Sequence, residues 1–318
     1  MSAAVANFDD VLAAAARIAP HACTTPVLRS RALDGLAGCR LAFKAEHLQR
    51  GGAFKFRGAG NAVWALPAAE ASRGVTTHSS GNHGGALALA AAGRGIRCHV
   101  VVPADAVRSK LAAIAAYGAV VHRCASGIAA REAACAQVVE ATGARMVHPY
   151  ADAAVIAGQG TAALELLAAA GPLDAVVVPV GGGGLAAGTA LALAACAPQC
   201  RLYLAEPSGA ADAAASLARG ELVPASAPDT VCDGLRAGLG GPGFGILRRQ
   251  GAEVLLVDDA DTVAAMRLLW QRMKQVVEPS AAIAFAAVLG ARERFAGLRV
   301  GLVLSGGNVD LDALPWAA

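Results

Sequence analysis

The chain has 318 residues, 56% hydrophobic and 16% charged, with a net charge of +3. That length suits two lobes or one large α/β unit, and the apolar fraction is far too high for a disordered chain. Its charges are scattered without a basic block, so nucleic-acid binding has no electrostatic support.

The first twenty residues place acids ahead of their apolar stretch and lack a basic leader. They read as a first helix and not as a signal peptide. No run of about 20 strongly apolar, uncharged residues marks a membrane span. The best stretch, 185–200, is Ala-rich, short and interrupted at Pro198. Eight cysteines (Cys23, Cys39, Cys98, Cys124, Cys135, Cys196, Cys200 and Cys232) form no CxxC pair and no Cys/His ligand set. Free thiols in a reducing cytoplasm are the expectation, without zinc.

Short apolar runs then alternate with Ala-rich helical stretches. The runs are LAFKAE (41–46), CHVVVP (98–103), AVVVPV (175–180), RLYLAE (201–206), EVLLV (253–257) and VGLVLSGG (300–307). This alternation predicts an α/β fold of mainly parallel sheets flanked by helices, with ligands at the strand carboxyl ends. Residues 74–147 have a rhythm of their own: four short strands separated by helices, a compact lobe inserted in the chain.

Four segments carry chemistry. In GGAFKFRGAGNAV (51–63), Lys55 follows a Gly-Gly turn at the start of a helical pattern. The positive end of a helix dipole disfavours a protonated amine, so an enclosed Lys55 has the lowered pKa that a covalent amine catalyst needs. An ordinary surface lysine is the plain alternative. In THSSGNHGGALALAAA (77–92), Ser79, Ser80, Gly81, Asn82 and His83 fill a strand-to-helix turn whose N–H groups suit an anion. Taken alone, that segment is better explained by a capped helix start with His83 satisfied in the core. In AVVVPVGGGGLAAG (175–188), four glycines follow a buried strand and open a helix. Backbone bare of side chains makes sense where N–H groups must close on a phosphate. In LSGGNVD (304–310), Ser305 ends a strand.

A rival reading uses the same glycines. Gly181, Gly183 and Ala186 fit G-x-G-x-x-A, and Glu206 ends the next strand where a ribose-binding acid belongs. That pattern describes an NAD-dependent dehydrogenase, although its mid-chain position and Lys55 would go unexplained. A third reading is an amino-acid-binding module without turnover.

Taken together, FKFRGA, SSGNHG, HPY with VIAGQGT, VPVGGGGL, AEPSGAAD, DG at 233–234, EPSAA and VLSGGNVD occur in an order that resembles the serine/threonine dehydratase and serine racemase family, which includes 3-hydroxyaspartate ammonia-lyases. These are fold type II pyridoxal-phosphate enzymes. The resemblance runs from about Pro26 to Asp310. It implies a large cofactor-binding domain over 1–72 and 149–318, a small mobile domain over 73–148, and a homodimer.

Residue by residue, the resemblance implies that Lys55 carries pyridoxal 5'-phosphate covalently, with Phe54 against its ring and Asn82 on its phenolic oxygen. Gly181, Gly182, Gly183, Gly184 and Leu185 would hold the phosphate, and Ser305 would face the ring nitrogen. Ser79, Ser80, Gly81, Asn82 and His83 would receive the substrate carboxylate. Lys55 would take the Cα proton in a dehydration and deamination. Ser80, on the opposite face, would return a proton in a racemisation. Arg131 is a candidate for a second carboxylate, as in 3-hydroxyaspartate, against the alternative of a solvated helix arginine. Glu206, the Ala210 carbonyl and Asp212 match a cation-binding pattern suited to Mg²⁺, or to Ca²⁺ or Mn²⁺. The chain departs from nucleotide-binding racemases at Tyr150, where they carry Asn, which argues against ATP regulation. It ends soon after SGGN, so isoleucine feedback through a C-terminal regulatory domain is not expected.

Overall fold

The computed structural model describes residues 5–104 and 108–316. Two sheets organise them. The larger has the order β1-β2-β10-β7-β8-β9 and the smaller β5-β4-β3-β6. In the larger sheet, β1 (Val27–Leu28) runs antiparallel to β2 (Arg40–Lys44). The remaining members, β7 (Ala175–Pro179), β8 (Arg201–Pro207), β9 (Glu253–Val257) and β10 (Arg299–Val303), pair in parallel with their neighbours. The smaller sheet, β3 (Val75–Thr77), β4 (Cys98–Pro103), β5 (Val120–Cys124) and β6 (Arg145–Met146), is parallel throughout.

Parallel strands are covered on both faces, which is why β7 is buried at all five positions and its sequence is continuously apolar. Its residues still alternate between two cores. Val177, with Leu41 and Phe43, packs toward the helix Pro279–Gly290. Val176 and Val178, with Ala42, pack toward the helices Phe8–Ile18, Ala153–Ala170 and Gly184–Cys196. The helix Ala153–Ala170 is long and apolar enough to cross a bilayer, and more than half of it is buried inside the protein. It, and not the 185–200 stretch, is the most membrane-like segment. It starts where the Asp152 carboxylate accepts the amides of Ala154 (2.8 Å) and Val155 (3.4 Å), a side-chain N-cap.

Glycines let three helices approach closely. A Cβ at Gly158 would stand 2.6 Å from the Gly58 Cα, and one at Gly188 would stand 2.5 Å from the Gly160 nitrogen. The helices Lys55–Ala65, Ala153–Ala170 and Gly184–Cys196 therefore stack backbone to backbone. This stacking brings the amino ends of the first and third, Lys55 and Gly184, to one cavity.

Candidate active site

That cavity holds about 630 Å³ and opens between the two sheets' helices. Phe54, Lys55, the Ser79–His83 turn, Arg131, the glycines 181–184, Leu185 and Ser305 all line it. Segments 24 to 250 residues apart in sequence reading are thus one site in space.

Lys55 is the first residue of its helix, and its Nζ donates to the Pro149 carbonyl at 3.1 Å. The amine lies 5.0 Å from the centre of the Phe54 ring. Burial pulls its pKa down to about 8, partly opposed by the carboxylate of Glu278. A fraction of free amine at neutral pH is what a nucleophile or base requires. Two residues on, Arg57 is fully enclosed and bonds Glu46 (2.7 Å) and Glu165 (2.7 Å), while Lys44 reaches Glu165 at 2.5 Å. Two cations and two carboxylates thereby fasten the Lys55 helix to β2 and to the helix Ala153–Ala170.

The glycine turn has the features of an anion cradle. Gly181, Gly182, Gly183, Gly184 and Leu185 are all buried. Their five amides donate to no group among the described residues. Buried donors normally find partners, so five without any at a helix amino end call for an anion. Gly183 has φ +86°, a conformation that favours glycine. A Cβ at Gly182 would run into the ring of Tyr150, and one at Gly181 would stand 2.8 Å from the Leu235 Cα. An amine of lowered pKa and an orphaned phosphate cradle in one cavity fit pyridoxal phosphate.

Asn82 and Ser305 already have protein partners. Asn82 Nδ2 donates to Glu278 Oε1 at 2.9 Å, and its Oδ1 accepts from Asn308 at 3.0 Å. One amide N–H remains for a ligand. Ser305 is buried, and its hydroxyl donates to the Ser280 carbonyl at 3.3 Å. The hydroxyl of Ser79 accepts from the Gly81 amide at 3.4 Å. His83 is 2% exposed. Its Nε2 pairs with the Val147 carbonyl at 3.2 Å, and its Nδ1 has no partner. Burial and the nearby Lys55 hold this imidazole well below its ordinary pKa, hence neutral. Arg131 reaches the cavity from the helix Ile128–Thr142.

Sequence reasoning gave no role to Glu278 and Ser280, which also line the cavity, or to His148 beside it. Glu278 and Ser280 line the cavity within the EPSAA stretch, and His148 Nδ1 accepts the amides of Tyr150 (3.4 Å) and Ala151 (3.1 Å). EPSAA and HPY carried the family pattern, but the bond that ties Glu278 to Asn82 spans 196 residues.

The Glu206 region corrects the ribose-binding expectation. Glu206 is 1% exposed, and its carboxylate accepts the amides of Ala213 (2.6 Å) and Ala214 (2.8 Å). It therefore caps the helix Asp212–Arg219 itself, while Asp212 accepts the Leu239 amide at 2.7 Å. With both oxygens so engaged, Glu206 does not present itself to a ribose, and the dehydrogenase reading loses its acid. Burial lifts Glu206 to about 7, with the neighbouring Asp212 adding to the rise. Burial raises Asp212 as well. Two enclosed, mutually repelling carboxylates beside the Ala210 turn form a donor set that a divalent cation would relieve. Among the described residues no cluster of three or more His, Cys, Asp or Glu side chains is poised to hold a metal.

The fold and this cavity define a cofactor-dependent enzyme of the two-lobed α/β type. Residues 18–306 match the family described as pyridoxal-phosphate dependent enzyme, and the chain belongs to that family. It is 46% identical over 312 residues to a beta-hydroxyaspartate dehydratase of Paracoccus denitrificans, covering 98% of this chain and 99% of the relative. It is 43% identical to a serine racemase of Dictyostelium discoideum, covering 98% and 97%. Its fold superposes on the structure of maize serine racemase with a TM-score of 0.95 at 42% identity, over 97% of this chain and 95% of that one. The architecture is fold type II, and the family match leaves the dehydrogenase alternative without support.

Proposed function

We propose that this enzyme catalyses β-elimination on a small hydroxy-amino acid, L-serine, L-threonine or 3-hydroxyaspartate, releasing a keto acid and ammonia, with serine racemisation as a second outcome. The observation that carries the reading is the pairing, in one cavity, of the Lys55 amine at a pKa of about 8 with the five unpartnered amides of the glycine turn. Likeness to a hydroxyaspartate dehydratase and a serine racemase supports the substrate class.

When bound, pyridoxal phosphate supplies an electron sink for the Cα carbanion. Lys55 would hold it and, as a free amine, would be the base for the Cα proton. Phe54 would pack against its ring, Asn82 would offer its remaining N–H to the phenolic oxygen, and glycines 181–184 with Leu185 would bind the phosphate. Ser305, a neutral hydroxyl, leaves the ring nitrogen without a proton donor stronger than itself. Ser79, Ser80, Gly81, Asn82 and His83 receive the substrate carboxylate. Ser80 returns a proton from the face opposite Lys55 when the substrate racemises. In the elimination the Cα–H and Cβ–O bonds break and water departs. Water then adds to the released enamine to give the keto acid and ammonia.

Residues 73–148 act as a small mobile domain against 1–72 and 149–318, carrying Arg131 across the cavity. Glu206, the Ala210 carbonyl and Asp212 bind Mg²⁺, or Ca²⁺ or Mn²⁺ in its place. The enzyme works as a homodimer in the cytoplasm, a reading that its eight free thiols support.

The test is keto-acid release from L- and D-serine, L-threonine and both 3-hydroxyaspartate diastereomers, with and without Mg²⁺. Release from at least one is expected. A yellow holoenzyme that consumes none would overturn the substrate reading.

A further inference from the structure

One wall of the cavity has no part in the steps above. His78 and Tyr150 line it, and the His148 ring sits between theirs. The His78 and His148 rings meet edge to face at 5.4 Å, and those of His148 and Tyr150 do so at 4.5 Å. His148 is fixed in orientation by the two amides on its Nδ1. Burial, with His78 and Lys55 nearby, lowers its pKa to about 4, so it stays neutral. Tyr150 is wedged by glycines: its ring lies where a Cβ of Gly182 would be, and 3.0 Å from where one of Gly240 would be. The ring therefore has one place to go.

Its hydroxyl donates to nothing among the described residues, although Tyr150 lines the cavity. Across from it, on the first turn of the helix Ile128–Thr142, Arg131 lines the same cavity. Only its Nε has a bond, to the Gly127 carbonyl at 3.4 Å, so its two terminal nitrogens are unengaged among the described residues. Arg131 and its neighbour Glu132 are close enough to Tyr150 to act on the phenol in opposite senses, and burial raises it further. The phenol thus remains a protonated donor at neutral pH. Glu132 does not line the cavity. A neutral O–H donor and the two unengaged terminal nitrogens of a planar cation face one space. A carboxylate leaving water needs both a counter-charge and hydrogen bonds.

We propose that Tyr150 is a specificity-determining residue: its phenol and the Arg131 guanidinium hold a carboxylate on the substrate's Cβ, so the enzyme prefers a four-carbon dicarboxylic hydroxy-amino acid to serine. This rests on the β-elimination proposed above and sharpens its substrate class.

The experiment compares holoenzyme with Tyr150→Phe, which keeps the ring over Gly182, and with Arg131→Gln. The readout is the ratio of kcat/KM for 3-hydroxyaspartate to that for serine. Tyr150→Phe is expected to lower this ratio about tenfold, as loss of one hydrogen bond to a charged group does, mainly through KM. Arg131→Gln lowers it further. A Tyr150→Phe enzyme whose two substrates suffer equally, or not at all, overturns the proposal. A second readout does not depend on turnover: the melting temperature of holoenzyme with succinate against butyrate. Succinate should stabilise the unsubstituted enzyme more than butyrate, and Tyr150→Phe should shrink that difference. Equal shifts in both proteins refute the clamp. If no substrate is consumed while succinate still discriminates, the elimination reading fails and the clamp stands.

Discussion

The Lys55 amine donates to the carbonyl of Pro149, the residue immediately before Tyr150, at 3.1 Å. The amine proposed to bind the cofactor and the ring that packs on Gly182 are therefore positioned by one short turn, His148–Tyr150.

Cofactor uptake should follow the Lys55 titration. Burial lowers this amine from its ordinary 10.5 to about 8. The rate at which apoenzyme takes up pyridoxal phosphate should rise with pH and level off above about 8, because the free amine is the nucleophile. The linked stability has a definite sign. The cost of a buried ammonium is fully present below pH 8 and disappears as pH climbs toward 10.5, so apoenzyme gains stability across that window. Stopped-flow absorbance and urea melts check the two effects, and flat profiles would contradict the burial of Lys55.

Gly182→Ala should act through Tyr150. The new methyl meets the ring, which must move or strain the turn. A stability loss of about 1–3 kcal/mol is expected, as for overpacking elsewhere, together with weaker cofactor binding. The double variant Gly182→Ala/Tyr150→Ala should recover part of the loss, since the ring that clashes is gone. Denaturant melts of the double-mutant cycle measure this coupling, and strict additivity would show that the two do not touch.

The imidazoles around Lys55 set an acid limit. His148 falls to about 4, from burial first and then from His78 and Lys55, and burial lowers His78 and His83 too. A lowered histidine stays neutral when folded while the unfolded chain takes up protons. Stability is therefore lost as pH falls from 6.5 toward 4. His148→Asn, whose side-chain oxygen can still accept the two amides, should flatten part of this slope. Melting temperature against pH in both proteins gives the comparison, and identical slopes would rule His148 out as a contributor.

Removal of divalent cations should loosen the Glu206 turn. Mg²⁺ at about a hundredfold excess over its Kd would stabilise the protein by about 2.7 kcal/mol, and EDTA would reverse it. Asp212→Asn keeps an acceptor for the Leu239 amide but removes a charge, so its melting temperature should respond less to Mg²⁺. An unsubstituted protein that ignores both Mg²⁺ and EDTA has no cation there.

Much of this was legible in the sequence because it is local. The β7 run, the glycine turn and the Lys55 helix start are each read within about a dozen residues, where pattern and backbone preference decide the outcome. The capping role of Glu206 was not legible because its partners, the Ala213 and Ala214 amides, come from a helix whose start the strand-end pattern does not specify. Glu278 went unassigned because its bond to Asn82 spans 196 residues. The wedge of Tyr150 between Gly182 and Gly240 depends on three segments meeting, which no single stretch encodes.

The central claim is tested most directly by reducing freshly purified holoenzyme with borohydride and mapping the labelled peptide. The chain has four lysines, Lys44, Lys55, Lys110 and Lys274. Pyridoxyl label on Lys55 alone is predicted, with loss of the visible band near about 410–420 nm in Lys55→Ala. Label on another lysine, or none on a fully yellow protein, would contradict the account.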